Sequence, residues 1–161
     1  MQRKAVLING LSIKGRKALL DLSLMKISES CEKVRALVIV DNFEDSKFDD
    51  DIVSKLDMNV EILGGGCFCC QLKEDFRALL EEEEEVFGPS AIFVELPIMA
   101  DADLIKSIMK DAIQTNLEFV TVFVIDYESA DTVFETFPDM MERNLSASAR
   151  FSIAPFCSVS T

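Results

Sequence analysis

Five short apolar runs punctuate the chain, and the stretches between them repeat their apolar residues with helical spacing. Lys4–Asn9 (KAVLIN), Val34–Val40 (VRALVIV), Met58–Leu63 (MNVEIL), Ala91–Leu96 (AIFVEL) and Phe119–Asp126 (FVTVFVID) are rich in Val, Ile and Phe. Each is bounded by polar, Gly or Pro residues, as buried strands are. Arg16–Ser30, Gln71–Phe87 and Asp101–Gln114 are amphipathic. In the last, Leu104, Ile108, Met109 and Ile113 form an apolar stripe, and Asp101 or Asp103 can cap its start. The order β-α-β-(αβ)-α-β-α-β predicts an α/β protein with a mostly parallel sheet and helices on both faces. Ligands of such sheets bind beyond the carboxyl ends of the strands.

A chain of 161 residues fits one domain and buries roughly two-thirds of its unfolded surface. The formal net charge of −13 repels phosphate backbones, so nucleic acid is not an expected partner. No apolar run approaches the roughly 20 residues that span a bilayer, so no membrane is expected. The basic-then-apolar start, Met1–Val6, is too short for a secretory core. A cytoplasmic location with reduced cysteines is the expectation. The acidic run Glu81–Glu85 closes a helix begun at Leu72 and ended by Gly88-Pro89, so most of its carboxylates must be solvated. Asp41–Asp45 and Asp49–Asp51 form an acidic loop, read as solvated in preference to a divalent-cation site.

Chemistry concentrates in two places. Gly64-Gly65-Gly66-Cys67-Phe68-Cys69-Cys70 holds three of the five cysteines and three of the six glycines. Crowding of that kind, with an odd total, argues against a disulfide framework. Thiolates so close can share one soft metal ion, and with no histidine in the chain a site must use sulfur and carboxylate. Cys67 and Cys69 lie two apart, so in an extended turn their sulfurs face one side, and Cys70 adds a third. Three thiolates leave a fourth position open, which suits transfer better than storage. The competing reading is three small buried residues at the mouth of a sheet. Cys31 and Cys157 stand alone and read as core.

The second place is Gly10-Leu11-Ser12-Ile13-Lys14-Gly15-Arg16-Lys17, between the first strand and a helix. Its glycines are spaced as in G-x-x-x-x-G-K-[ST], where the lysine reaches the β/γ-phosphates and the hydroxyl holds magnesium. Arg16 and Lys17 stand in those two positions. Arginine's planar fork is not equivalent to a compact ammonium, and a protonated lysine does not ligate magnesium. A strand–glycine–helix turn also arises for purely structural reasons.

Four segments, in the right order over roughly residues 4–135, carry a resemblance. They are VLINGLSIKGRKALL; VIVDNFEDSKFDDDIV, with Asp49 six residues past a phenylalanine; GGGCFCCQLKEDF; and IFVELPIMADADLI, with Glu95. Together they resemble the nucleotide-binding domain of the CobW/HypB/UreG P-loop GTPases, in particular its CobW-like branch. The C-x-C-C element is the specific one. The resemblance implies a three-layer α/β/α P-loop NTPase-like fold, in one domain spanning 1–161 that is a truncated or degenerate version of the family's. It implies a metal site at Cys67, Cys69 and Cys70 for zinc, cobalt or nickel. It also implies a metallochaperone role toward a metalloprotein or a cobalamin-type cofactor. Gly10, Gly15, Arg16, Lys17 and Glu95 map onto the nucleotide and magnesium positions.

The departures from the family lie in the nucleotide elements. Ile13 replaces the middle glycine of the phosphate loop, and a β-branched residue resists positive φ. Pro97-Ile98 replaces the end of E-x-x-G, and Phe151–Cys157 carries no N-K-x-D. The chain ends at Thr161, ahead of the rest of the family's G domain. GTP and magnesium are therefore weakly implied. Three readings follow: a metal-delivery accessory protein without nucleotide hydrolysis; an active GTP- or ATP-binding protein with a substituted loop; or a non-catalytic subunit pairing with itself or an intact homologue.

Overall fold

The computed structural model describes residues 3–30, 34–41, 46–63, 70–96, 100–125, 128, 130–139 and 142. Its elements run β1 (Arg3–Gly10), α1 (Ile13–Ser30), β2 (Ala36–Val40), α2 (Asp50–Lys55), β3 (Asn59–Ile62), α3 (Cys70–Val86), β4 (Ala91–Glu95), α4 (Ala102–Ala112), β5 (Leu117–Val124) and α5 (Ala130–Thr136). All five strands belong to one sheet in the order β3-β2-β4-β1-β5. Every pairing is parallel, with Val6 opposite Phe93 and Val120, and Val38 opposite Phe93 and Val60. The expected mostly parallel sheet is thus parallel throughout.

Alternate residues of each strand feed two separate cores, as the pleat requires. Leu7, Leu37, Ile39, Ile92 and Val94 pack on one face with Phe76 and Leu80 of α3 and Ile105, Ile108 and Met109 of α4. Val6, Ile8, Val38, Val40 and Phe93 pack on the other with Leu20, Leu24 and Ile27 of α1 and Leu56 beyond α2. Helices therefore cover both faces in a three-layer α/β/α arrangement. The central strands β2 and β4 are buried at every position, which is why they read as unbroken apolar runs.

Local chemistry explains the helix ends. Asp101 is the N-cap of α4, its side chain accepting from the amides of Asp103 at 2.9 Å and Leu104 at 3.2 Å. Asp49 caps α2 in the same way through Asp51 and Ile52, so one carboxylate of the acidic loop has a structural role. Gly88, at φ 60°, closes the segment after α3, where side-chain-bearing residues are strained. Within the glutamate run Glu81, Glu82 and Glu85 are exposed, whereas Glu83 is buried and accepts from Asn59 of β3 at 2.8 Å. Leu104 is only half-buried on the α4 stripe, and Ile105 takes the inner position beside Ile108 and Met109. Among the described residues no helix is long and apolar enough to cross a membrane.

Candidate functional site

The carboxyl ends of β1 and β4 define the site's floor. They lie side by side, with Ile8 opposite Glu95 and the Leu96 amide donating to the Ile8 carbonyl at 2.8 Å. Asn9 is buried at the end of β1: its Oδ1 accepts from the Gly10 amide at 2.7 Å and its Nδ2 donates to the Ala100 carbonyl at 3.1 Å. It therefore ties the strand end to the segment entering α4. Sequence reading missed Asn9, and the signal available was a polar residue closing an otherwise apolar strand.

Gly10 has φ 134°, and a Cβ built there would lie 1.9 Å from the carbonyl oxygen of Val124 on β5. Only glycine fits so close to a neighbouring backbone. The Leu11 amide then donates to that same carbonyl at 3.0 Å, locking the turn to β5. A Cβ on Gly15 would meet Ser12 Oγ and Val124 Cγ1, each at 2.8 Å. Glycine is thus required at position 10 by the Val124 backbone, whereas a Cβ at position 15 would force the Ser12 and Val124 side chains to shift.

Helix α1 begins at Ile13, three residues earlier than the Arg16 start expected from sequence. The reason is local: the Ser12 hydroxyl accepts from the Gly15 amide at 3.1 Å in N-cap fashion, and the Ser12 carbonyl accepts from Arg16 at 2.9 Å. Ile13 suits a helical position, having no need of positive φ. Only Leu11 and Ser12 are left as a turn. A phosphate cradle needs successive backbone amides converging from a loop, and here the Gly15 amide already has an acceptor.

Arg16 falls on the same stripe of α1 as Leu20, Leu24 and Ile27, the face packed on the sheet. Its side chain is accordingly 1% exposed. The Nε donates to Glu95 Oε1 at 3.0 Å, and Nη1 donates to the Gly10 carbonyl at 2.5 Å. Glu95 itself is fully enclosed. Turning Arg16 outward toward a phosphate would strip the buried carboxylate of this counter-charge, at a cost of about 3–5 kcal/mol. One charged hydrogen bond returns about 1.5–3 kcal/mol. The inward orientation wins. Lys17, one position around the helix, pairs with Asp21 and sits 4.3 Å from the Phe48 ring centroid.

The cysteine motif lies in the connection between Leu63, just past β3, and α3. Cys67 and Cys69 fall outside the described residues, as do Ile98 and Phe151–Cys157; Cys70 is the first residue of α3. The connection leaves the sheet at the same carboxyl edge as the Gly10 turn, with the Leu63 amide bonded to the Val40 carbonyl at 2.9 Å. The strand order inserts β2 and β4 between β3 and β1, so the two strand ends are roughly 14 Å apart at normal strand spacing. Among the described residues no group of three or more His, Cys, Asp or Glu side chains is placed to hold a metal ion.

The family model for the CobW/HypB/UreG nucleotide-binding domain matches residues 5–153. The chain belongs to the CobW/HypB/UreG family. A comparison with curated proteins gives no significant match. Membership brings a P-loop NTPase-like fold and a metallochaperone-type GTPase lineage, and the all-parallel sheet agrees with that fold. Within this CobW-like chain the side chains at the phosphate turn do not fit the donor set of a magnesium nucleotide. The cation at the lysine position is directed into the core, the magnesium-binding hydroxyl is a lysine, and the turn is capped by its own serine.

Proposed function

We propose that this chain is a metal-binding accessory member of the CobW/HypB/UreG family that no longer hydrolyses nucleotide. Its cargo is a soft divalent ion, zinc first and cobalt or nickel next, held by the thiolates of Cys67, Cys69 and Cys70. The recipient is a metalloprotein or a metallocofactor such as a cobalamin-type ring. The observation that carries this reading is the contrast between an unaltered C-x-C-C motif and a phosphate turn whose Arg16 and Lys17 are each paired within the chain, with Glu95 and Asp21.

The chain's own chemistry supports uptake and release. Thiolates select soft ions, and the absence of histidine leaves sulfur as the dominant donor. Helix α3 starts at Cys70, and the N-terminal end of a helix stabilises negative ligands. The glycines before Cys67 give the connection the freedom to gather its sulfurs on one side. Three thiolates leave one coordination position for solvent, a carboxylate, a recipient's ligand or a second copy of the loop, and an ion held that way passes on by ligand exchange.

Equilibrium dialysis against zinc, comparing the full chain with Cys69→Ser, tests the proposal. Stoichiometric zinc on the unaltered chain and a marked loss on the variant are expected. Equal, substoichiometric zinc on both would end the reading.

A further inference from the structure

We propose that Arg16 is an internal ligand of the phosphate turn, and that its pairing with Glu95 keeps the turn in one nucleotide-independent arrangement. The inference deepens the loss of hydrolysis proposed above and rests on that reading. It adds which group brings the loss about and predicts that the effect is reversible by substitution.

Three contacts converge on one residue, two through its side chain and one through its backbone. The guanidinium bridges the carbonyl of Gly10, at the end of β1, to the carboxylate of Glu95, at the end of β4. Both charges are buried, with 1% and 0% of the side chains exposed. The backbone of Arg16 meanwhile donates to Ser12, whose hydroxyl occupies the Gly15 amide. In a working loop of this spacing the cation reaches outward to the β/γ-phosphates. Here the same position reaches inward, and it joins the two strand ends between which a nucleotide would otherwise act. A planar, multi-donor fork suits this bridging because it satisfies a carbonyl and a carboxylate at once. A lysine's compact ammonium on a flexible stem lacks that fixed fork, so it would hold the two acceptors less rigidly and could exchange them for a phosphate.

Lys17 takes no part in the bridge. It lies on the next stripe of α1, held by Asp21 and the Phe48 ring. Replacing it with threonine would restore the hydroxyl that holds magnesium without disturbing the core.

The test compares the thermal unfolding of the full chain with that of the Arg16→Lys/Lys17→Thr variant. Each is measured alone and with millimolar magnesium GTP or magnesium ATP. The unaltered chain is expected to show no nucleotide-dependent shift. The double variant is expected to gain a saturable rise of about 5 °C or more at ligand concentrations far above its dissociation constant. A saturable rise in the unaltered chain that Arg16→Lys alone abolishes would make Arg16 a phosphate ligand and overturn the inference. No shift in either protein would also overturn it, because the turn would then be closed by something other than Arg16, while the loss of nucleotide chemistry would stand. Without nucleotide the variant keeps a cation within reach of Glu95, and an unshifted melting cooperativity in that state verifies that it folds.

Discussion

At Arg16 and Glu95 two opposite charges share a site that water does not reach. Buried pairs are costly to break and cheap to replace as a unit, because the penalty falls on whichever charge is left behind. Arg16→Met and Glu95→Gln should each lower stability by about 3–5 kcal/mol. Arg16→Met/Glu95→Leu should lose no more than either single change, which urea midpoints around a double-mutant cycle would reveal. Additive losses would mean that the two side chains act separately. Gly10 presents a steric counterpart. Its φ of 134° and the 1.9 Å approach of a built Cβ to Val124 leave no room for a methyl group. Gly10→Ala should therefore cost about 3 kcal/mol or more, read as a lower urea midpoint with β1 and β5 no longer paired. If the alanine variant kept full stability, the glycine would owe its place to something other than packing.

The behaviour of Arg16 also shows where sequence reading stopped. Its charge and its place after Gly15 match a nucleotide motif, so the motif suggested an outward role. The competing signal was the spacing 16, 20, 24 and 27, which puts the arginine on the buried stripe of α1. Periodicity decided the direction, and chemistry then had to supply a partner inside the core. That partner, Glu95, is 79 residues away and could be recognised only once β1 and β4 were known to be neighbours.

Among the elements, the five strands were legible because each is a compact apolar run, and their observed limits differ from the expected ones by about two residues. The start of α1 was not, because an N-cap serine followed by isoleucine was read as loop under the influence of the glycine spacing. The short α2 was foreseen only as an unlocated helix, and α5 was not foreseen. Strand order was not legible either. Nothing local in β4 shows that it inserts between β2 and β1, because strand order is a property of long-range pairing.

One electrostatic consequence arises where β3 meets α3. Burial pushes the Glu61 carboxyl above its ordinary value of 4.5, the charges of Glu83 and Glu82 add to this, and the Asn59 hydrogen bond opposes it. The folded carboxyl thus holds its proton to higher pH than the unfolded one. Its contribution to stability is present below about 4.5 and is lost as pH rises through the folded value. Glu61→Gln should therefore melt higher than the unaltered chain at neutral pH, and the two should converge as pH is lowered toward 4.5. A difference that is constant with pH would point to packing instead.

For the whole molecule, the sheet places the ends of β1 and β3, from which the two candidate regions leave, at one carboxyl edge with two strands between them. The Gly10 turn is secured by β4 and β5, and the cysteine connection springs from the outer strand β3. The family is one of metallochaperone-type GTPases. We propose that the two roles are separate in this chain, because Arg16 is engaged within the turn while the C-x-C-C motif is unaltered. Reciprocal coupling between the two sites should then be absent.

The measurement that tests this most directly is zinc affinity with and without millimolar magnesium GTP, by competition with a chelator of known affinity. The account predicts stoichiometric zinc on Cys67, Cys69 and Cys70 and the same affinity under both conditions, to within about twofold. A tenfold or larger change on adding magnesium GTP, or zinc binding that survives serine at all three cysteines, would contradict it.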